Sequence, residues 1–397
     1  MKRRDIFFLL LSFFLLPLCA EVKILSTAGK GVLLEKDGHQ ILLLQGEPYE
    51  MGYQHGVLMK EALKEMVDKA LAISFARHPG MLKKAWEEAS PFIPSRYLEE
   101  MKGMADGSGI PLEKVQMANI FPELFHCSGM AFWGKATQNG ELIHGRILDY
   151  MTLPNFQKHA LVMVFKPDNF HAFMTAGFAG FIGSVTGMNE KKVAIGEMGG
   201  KGFGKWKGIP MSLLVRKVLE EADTLEEAVR IFEESPRTCE YYYIISDGNR
   251  PEAVAMRAVP EKVEVGRGGE SHPLLPAPFP KDTVFISGGD RYFKLMKRVK
   301  KFYGRINLET VKEIMKRPVA MESNLHNAIF LPESLKMYLA LALHPSQPCY
   351  QACFQEYVEY DMKELFKYFP SSLYPGTGAV NRRIFANWKC KNTTEKR

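Results

Sequence analysis

The middle of the chain, residues 127–149, reads CSGMAFWGKATQNGELIHGRILD. Apolar residues on either side of the turn-forming pair Asn139-Gly140 predict two strands joined in a hairpin. A cysteine opens the first strand, and Arg146 and Asp149 lie near the end of the second. The pattern therefore brings a thiol, a guanidinium and a carboxylate into one small unit.

The length of the hairpin loop determines which residue faces Cys127. A tight two-residue turn at the Asn-Gly pair would leave Asp149 about 10 Å out of line with Cys127. A five-residue loop, Ala136–Gly140, instead pairs Lys135 with Glu141, which are opposite charges on neighbouring strands. We therefore predict the five-residue loop, which sets Asp149 directly opposite Cys127.

Helical periodicity dominates the residues before this hairpin. The predicted helices run from about Tyr49 to Ile73, Met81 to Ala89, Ser95 to Ala105 and Pro111 to Leu124. In the first helix, Gly52 and Gly56 lie about one turn apart, which indicates close packing against another helix. Before them, two apolar runs flank Asp37-Gly38, a strong signal for a β-hairpin.

Short strands separated by turn residues dominate the sequence after residue 129. Helices are predicted among them near Pro210–Ala222, Thr224–Glu234 and Arg291–Tyr303. Runs of strands interrupted by paired helices are typical of antiparallel sheets packed against helices. The fold class is therefore expected to be α+β.

The first twenty residues are typical of a secretory signal. Lys2 and two arginines precede an apolar run from Ile6 to Leu18, which is too short to span a bilayer comfortably. We expect cleavage after Ala20 and an exported protein. The predicted organisation is a signal peptide at 1–20, a helical N-terminal segment at 21–126 and a catalytic chain at 127–397, forming one catalytic domain overall.

Charge and cysteine content narrow the function classes. The chain has 52 Lys and Arg against 45 Asp and Glu, a net charge of +7 that mildly favours anionic partners or membrane surfaces. The basic residues are spread without a nucleic-acid motif, so no nucleic-acid partner is expected. Cys349 and Cys353 have no histidine at metal-ligand spacing, so we expect no metal and no cofactor.

The hairpin stretch resembles the start of the mature catalytic chain in the penicillin acyltransferase-like family (acyl-coenzyme A:6-aminopenicillanic acid acyltransferase, peptidase C45). Gly145, Arg146 and Asp149 match its Gly-Arg-x-x-Asp stretch. Residues 46–56 resemble the family's N-terminal helix entry, and residues 187–191 resemble its second signature. The resemblance extends over about 46–354 and implies a four-layer αββα N-terminal-nucleophile hydrolase fold, with antiparallel sheets between helical layers.

The resemblance also implies a mechanism. Scission between His126 and Cys127 would make the cysteine a chain start, whose own α-amino group, with a pKa of about 7.7–8.0, serves as the general base. Arg146, which faces Met130 in the predicted register, would favour the thiolate, and Asp149 would hold the amine. The acyl group would pass through a thioester to water or to another amine.

The donors that stabilise the tetrahedral intermediate are harder to place. Asn189, in the second signature, is the first choice among side chains and completes the predicted catalytic set. The bile-salt hydrolases carry their oxyanion asparagine about ten positions later, where this chain has Gly199. That departure leaves backbone N–H groups, Asn324 and Asn327 as alternatives.

The expected substrate is an N-acylated small molecule, peptide or lipid, with acyl transfer to an amine as a close variant of hydrolysis. Contact with a membrane surface and association of the two cleaved chains are expected as well. A phospholipase-B-like lipid acyl hydrolase is the first alternative. A non-catalytic exported binding protein of the same fold is the second, and liberation of an amine at Cys127 would argue against it.

Overall fold

The computed structural model describes residues 22–77, 80–120, 127–150, 152, 155–200, 204–272 and 275–370. The strands, in chain order, are β1 (Lys23–Ala28), β2 (Gly31–Lys36), β3 (His39–Gly46), β4 (Ser128–Gly134), β5 (Gly140–Asp149), β6 (Ala160–Pro167), β7 (Phe173–Phe178), β8 (Thr186–Asn189), β9 (Val193–Gly199), β10 (Tyr241–Asp247), β11 (Glu252–Ala258), β12 (Val263–Arg267), β13 (Thr283–Ile286), β14 (Asn324–Leu331), β15 (Lys336–Leu341) and β16 (Val358–Asp361). The helices are α1 (Pro48–Leu58), α2 (Lys60–Arg77), α3 (Met81–Ala89), α4 (Ser95–Ser108), α5 (Leu112–Asn119), α6 (Met211–Glu221), α7 (Leu225–Glu234), α8 (Asp290–Phe302), α9 (Leu308–Met315) and α10 (Met362–Phe366).

The strands form two sheets. Sheet A has ten strands in the order β1-β2-β3-β6-β7-β8-β9-β10-β11-β12, and sheet B has six in the order β13-β4-β5-β14-β15-β16. The pairs are antiparallel except β3 and β6, which run parallel with Ile41 beside Val162. That pair joins the segment before residue 127 to the chain after it, so both contribute strands to sheet A.

The two sheets pack face to face between helices. A methyl group built on Gly129 of β4 would lie 2.5 Å from the sulfur of Met198 in β9, so this side of sheet B faces sheet A. A methyl group on Gly145 of β5 would lie 3.1 Å from the sulfur of Met315 in α9, on the other side. Helices α6 and α7 cover the outer face of sheet A. The predicted four-layer α+β architecture is therefore confirmed.

Two local predictions in the N-terminal segment are confirmed. The β2–β3 hairpin turns at Asp37 and Gly38, both with positive φ, as a tight two-residue turn requires. Gly52 contacts α4 so closely that a methyl group there would lie 1.9 Å from the carbonyl oxygen of Glu100. The predicted single helix 49–73 is wrong in one respect, because α1 ends at Leu58 and α2 starts at Lys60.

A buried ion cluster joins the N-terminal helices to α6. Arg216 of α6 is 1% exposed and pairs with Glu100 of α4 at 2.7 Å and with Glu220 at 2.8 Å. Its guanidinium also donates to the carbonyl oxygen of Ile182 at 2.8 Å. Removal of one partner of such a buried pair is costly, so the cluster fixes how the N-terminal helices lie against α6.

Helix α5 ends at Asn119, earlier than predicted, and Ile120 follows it as a turn residue. Residues 121–124 of the predicted helix lie outside the described residues, as do the proposed signal peptide and His126. No helix in the described ranges is long and apolar enough to cross a bilayer.

Candidate active site

Cys127 immediately precedes β4 and is 3% exposed. Alternate residues of a strand point to the same face, so Cys127 shares the face of Gly129, which is turned toward sheet A. The thiol therefore belongs to the layer between the two sheets. Burial raises the pKa of the Cys127 thiol to about 12, although the nearby Arg146 charge opposes this shift.

Arg146 is fully buried and contacts the thiol directly. Its Nη2 lies 3.4 Å from Cys127 Sγ, and its Nε donates to the carbonyl oxygen of Glu197 at 3.0 Å. Its Nη1 lies 3.1 Å from Nε2 of His326 on β14. Gly196 makes room for it, because a methyl group there would lie 2.7 Å from Arg146 Cγ. One guanidinium thus connects β5, β9 and β14 at the thiol.

Glu197 is a site residue that the sequence interpretation did not assign. It is fully buried on β9, and its Oε2 lies 3.5 Å from Nη2 of Arg146. The carboxylate balances the buried cation, and its negative charge opposes ionisation of the Cys127 thiol. The available signal was a single glutamate within the otherwise apolar strand VAIGEMG.

His326 also escaped the sequence interpretation, although its neighbours Asn324 and Asn327 were considered. Burial first, and then the Arg146 charge, hold the pKa of His326 well below its usual value, so the ring is neutral. A guanidinium can only donate, so His326 Nε2 is the acceptor facing Arg146. The hydroxyl of Thr186 lies 3.2 Å from the same nitrogen.

The predicted register of the hairpin is wrong by one residue. Ser128 pairs with Ile147, and Gly129, rather than Met130, pairs with Arg146. The loop has five residues as predicted but spans 135–139, between the paired Gly134 and Gly140. A one-residue slip exchanges the faces of all side chains on a strand. Arg146 therefore shares the face of the thiol, and Asp149 does not.

Contacts with β13 and its approach explain the shift. The backbone N–H of Lys135 donates to Asp282 Oδ2 at 2.8 Å, and the N–H of Trp133 donates to the carbonyl oxygen of Asp282 at 3.1 Å. Gly134 takes a positive φ of 50° beside a register irregularity in β4. The predicted Lys135–Glu141 pair is therefore replaced by contacts that are distant in sequence.

The carboxylate of Asp149 faces helix α8. Its Oδ2 lies 2.7 Å from Nη1 of Arg291, and its Oδ1 accepts from the backbone N–H of Met321 at 3.0 Å. Burial raises the pKa of Asp149 to about 6, against the opposing effect of Arg291. The backbone N–H of Asp149, in contrast, hydrogen-bonds to the Cys127 thiol. Asp149 thus contacts the Cys127 thiol through its backbone and α8 through its side chain.

The side-chain amides of the three predicted asparagines contact groups other than the Cys127 thiol. Asn189 Nδ2 donates to the carbonyl oxygens of Leu219 and Ala222 at 3.1 and 2.8 Å, and its Oδ1 accepts from the backbone N–H groups of residues 191 and 193. These contacts fasten the β8–β9 hairpin to the end of α6. The amide of Asn189 therefore makes contacts within the fold, and its catalytic role stays a prediction.

Asn324 and Asn327 bind each other, with Asn324 Nδ2 at 2.9 Å from Asn327 Oδ1. Asn324 also donates to the carbonyl oxygen of Leu148 at 3.1 Å and accepts from the N–H of Cys353 at 2.8 Å. Asn327 donates to the Tyr357 hydroxyl at 3.2 Å. The structure therefore brings Arg146, and none of these three amides, into hydrogen-bond contact with the thiol among the described residues.

Cys127 lines a cleft of about 670 Å³. One wall comes from sheet A, with Tyr242 and Arg257, and the other from residues 286–289 and the start of α8. Glu264 and His272 add polar groups to the lining. A cleft of this size with a few polar groups is typical of a small-molecule site.

A second pocket, of about 100 Å³, is lined mainly by apolar side chains. Its lining includes Leu148, two residues after Arg146 on β5, and Tyr150, which immediately follows β5. Aromatic rings of Phe156, Phe178 and Phe181 complete much of its wall. The described residues contain no group of three or more His, Cys, Asp or Glu side chains placed to hold a metal ion.

Comparison with known proteins agrees with this picture. Residues 136–267 match the model of the acyl-coenzyme A:6-aminopenicillanic acid acyl-transferase family, which confirms the resemblance drawn from the sequence. Protein dcd1B of Dictyostelium discoideum is 29% identical over 296 residues, covering 66% of this chain and 59% of that protein.

Two enzymes are also similar to this chain in sequence. Acid ceramidase of Rattus norvegicus is 29% identical over 188 residues, which cover 40% of this chain and 46% of that protein. The N-acylethanolamine-hydrolyzing acid amidase of Mus musculus is 26% identical over 188 residues, which cover 45% of this chain and 51% of that protein. The chain thus spans about half the length of the curated relatives it matches.

Proposed function

We propose that the protein is an N-terminal-nucleophile amidohydrolase or acyltransferase that uses Cys127 to cleave an N-acylated small molecule, peptide or lipid. The observation that carries this proposal is the contact between Arg146 Nη2 and Cys127 Sγ, 3.4 Å apart, at a cleft. The similarity to the acyl-transferase family and to two amide-related enzymes supports it.

The buried Cys127 thiol needs a base that removes its proton before it can act as a nucleophile. In the intact chain, burial raises the pKa of the Cys127 thiol to about 12, so the thiol is protonated at neutral pH. Scission before Cys127 would place an α-amine, with a pKa of about 7.7–8.0, on the same residue. That amine takes the thiol proton during attack, so no separate base is required.

Self-cleavage uses the same nucleophile and the same oxyanion stabilisation as turnover. The thiol attacks the carbonyl carbon of His126, the peptide C–N bond breaks, and the nitrogen leaves as the Cys127 amine with the thiol proton. Water then opens the resulting thioester to give the free carboxyl group of His126. In turnover the substrate's acyl carbon takes the place of the His126 carbonyl, and the acyl group passes to water or to an amine.

The surrounding residues have separate roles in this proposal. Arg146 stabilises the thiolate, and Glu197, 3.5 Å away, is its counter-charge in the core. Asp149 positions the thiol through its backbone N–H and holds the start of α8 through Arg291. Oxyanion donors come from backbone N–H groups, since the asparagines considered from the sequence are engaged elsewhere.

The second, apolar pocket supports an acyl chain as one part of the substrate. Leu148 belongs to this pocket and lies on the same face of β5 as Arg146, which contacts the thiol. Burial of a long acyl chain there would contribute about 0.8 kcal/mol for each buried CH₂ group. The polar cleft on the other side, with Arg257 and Glu264, would receive the amine part.

Export, membrane contact and association of the two cleaved chains complete the proposal. Export rests on the signal-like residues 1–20, and Edman sequencing of exported material should give a start near Glu21. The cleaved pieces would stay together because β3 and β6 are paired in one sheet and Arg216 pairs with Glu100 across the pieces.

A substrate screen tests the function directly. Processed protein would be incubated with N-acylethanolamines, ceramides, penicillins, bile-salt conjugates, N-acyl amino acids and phospholipids, and release of the amine or alcohol would be measured. We expect turnover of an amide with a long acyl chain and none by Cys127→Ala. Mass spectrometry of quenched reactions should show an acyl adduct on Cys127. Turnover of phospholipids alone would favour the lipid acyl hydrolase instead.

A further inference from the structure

Helix α8 carries a strongly basic, exposed face. Between residues 290 and 302 there are six basic side chains and one acidic side chain, Asp290. Two of the basic groups are engaged in the fold: Arg291 binds Asp149, and Arg298 donates to the carbonyl oxygens of Ile314 and Arg317. The remaining four are lysines on the exposed surface, Lys294, Lys297, Lys300 and Lys301.

These lysines share one side of the helix with an exposed aromatic ring. Positions 293, 294, 297, 300 and 301 follow the three- and four-residue spacing of one helix face. Phe293 is 57% exposed, whereas Tyr292, Leu295 and Val299 on the opposite face are buried. On the next helix, α9, the carboxylates of Glu309 and Glu313 pair with Lys312 and Lys316 rather than with the α8 lysines.

The basic face begins at the active-site cleft. Arg291, Tyr292 and Phe293 line the same cleft as Cys127, and the lysines extend away from it along α8. A surface with lysines on one helix face and an aromatic side chain at its end is typical of contact with the headgroup region of a lipid bilayer. The position of Phe293 would turn the cleft opening toward that bilayer.

We propose that the exposed face of α8, formed by Phe293, Lys294, Lys297, Lys300 and Lys301, docks the protein on anionic lipid bilayers and presents the cleft to a membrane-held acyl lipid. The last part of this inference rests on the proposed function. The partner is identified by charge complementarity, because four exposed lysines match the negative charge of an anionic leaflet. Phe293 favours a bilayer over a purely polar acidic surface because transfer of an exposed aromatic ring into the membrane interface is favourable.

Vesicle binding tests the docking surface without any substrate. The full-length protein would be sedimented with vesicles of phosphatidylcholine alone and of phosphatidylcholine mixed with phosphatidylserine. We expect binding to the mixed vesicles only, with loss at high salt because surface charges are screened. Absence of binding to the mixed vesicles, or equal binding to both, would overturn the proposal and leave an acidic protein as the partner to seek.

A matched pair of triple variants locates the surface. Lys294→Gln, Lys297→Gln and Lys300→Gln together should lower the partition coefficient about 100-fold, at roughly fivefold for each lysine. The control replaces Lys83, Lys102 and Lys363, exposed lysines of α3, α4 and α10, by Gln and removes the same charge elsewhere. Equal loss of binding in both triple variants would contradict the assignment to α8. Phe293→Ser should weaken binding further.

Activity measurements separate this proposal from the proposed function. The α8 triple variant should turn over a soluble short-chain N-acyl substrate at the unmodified rate and lose rate on the same headgroup presented in mixed vesicles. If neither substrate is cleaved but vesicle binding falls as expected, the proposed function fails and the docking surface stands. If the variant and the unmodified protein cleave the vesicle substrate at equal rates, the proposed role of α8 in catalysis at membranes is contradicted.

Discussion

Asp149 and Arg291, 142 residues apart in the chain, form an ion pair of 2.7 Å on the face of sheet B that is turned away from the Cys127 thiol. The pair connects the end of β5 to the first turn of α8, and Arg291 also reaches Ser128 Oγ at 3.4 Å. The carboxylate is therefore engaged by α8 and Met321, while Arg146 pairs with Glu197.

Self-cleavage before Cys127 is the prediction on which the mechanism depends. Denaturing mass spectrometry of purified protein should show two pieces, about residues 21–126 and 127–397. They should elute together under native conditions because the β3–β6 pair and the Arg216–Glu100 pair lie across the cleavage point. Cys127→Ala should remain a single inactive chain, and Cys127→Ser should split slowly. An intact chain with full activity would refute an N-terminal nucleophile.

Replacement of Arg146 should affect activity and stability by separable routes. Arg146→Gln removes the cation that lies 3.5 Å from the buried Glu197 carboxylate, which should cost about 3–5 kcal/mol and remove activity. Adding Glu197→Gln removes the carboxylate charge as well, so thermal unfolding should show that much of the lost stability is recovered while activity stays absent. Recovery of activity in the double variant would show that Arg146 acts only through packing.

Asp149→Asn should reduce self-cleavage or turnover by orders of magnitude while the protein remains folded. The substitution keeps the backbone N–H that contacts the thiol but loses the charge that holds Arg291 and the start of α8. Circular dichroism would check the fold, and gel or mass analysis would follow cleavage. Arg291→Gln should show a similar but smaller defect. Near-normal rates in Asp149→Asn would identify the pair as a purely structural contact.

The pH dependence of stability should reveal the raised pKa of Asp149, which burial shifts from 3.8 to about 6. A carboxyl with a raised folded pKa adds stability below the unfolded pKa, and that contribution is lost as pH rises through about 6. The test uses Cys127→Ala, which stays a single chain, as the parent. As the pH rises from about 4 to 6, the Tm of the parent should fall relative to that of Cys127→Ala with Asp149→Asn, because asparagine does not titrate. A constant Tm difference across this range would contradict the shift.

Close packing of α1 against α4 predicts a strong effect at Gly52. Ala is the better helix former, but its methyl group would lie 1.9 Å from the carbonyl oxygen of Glu100. Gly52→Ala should therefore lower the free energy of unfolding by about 3 kcal/mol or more, since two backbones must separate. Val57→Ala, on the exposed face of α1, is the control and should change stability little. Chemical denaturation would measure both.

The local sequence determined much of the hairpin and pointed to Cys127 as the candidate nucleophile. Apolar residues on both sides of Asn139-Gly140 specified β4 and β5, and the Gly-Arg-x-x-Asp stretch directed attention to Cys127, Arg146 and Asp149. The predicted loop length was correct, but the Lys135–Glu141 pair from which it was predicted does not form. The glycines of α1 likewise indicated a close helix contact, which α4 provides. These features depend on neighbours within a few residues, so one strand or one helix carries the information.

Only the tertiary structure decided the register and the partners of each charge. Asp282 binds the backbone at Trp133 and Lys135 and moves the loop by one residue. Because side chains alternate with a period of two, that single step turned Arg146 to the thiol and Asp149 to Arg291. Glu197, His326 and the structural role of Asn189 depend in the same way on strands and helices that are distant in sequence and come together only when both sheets have formed.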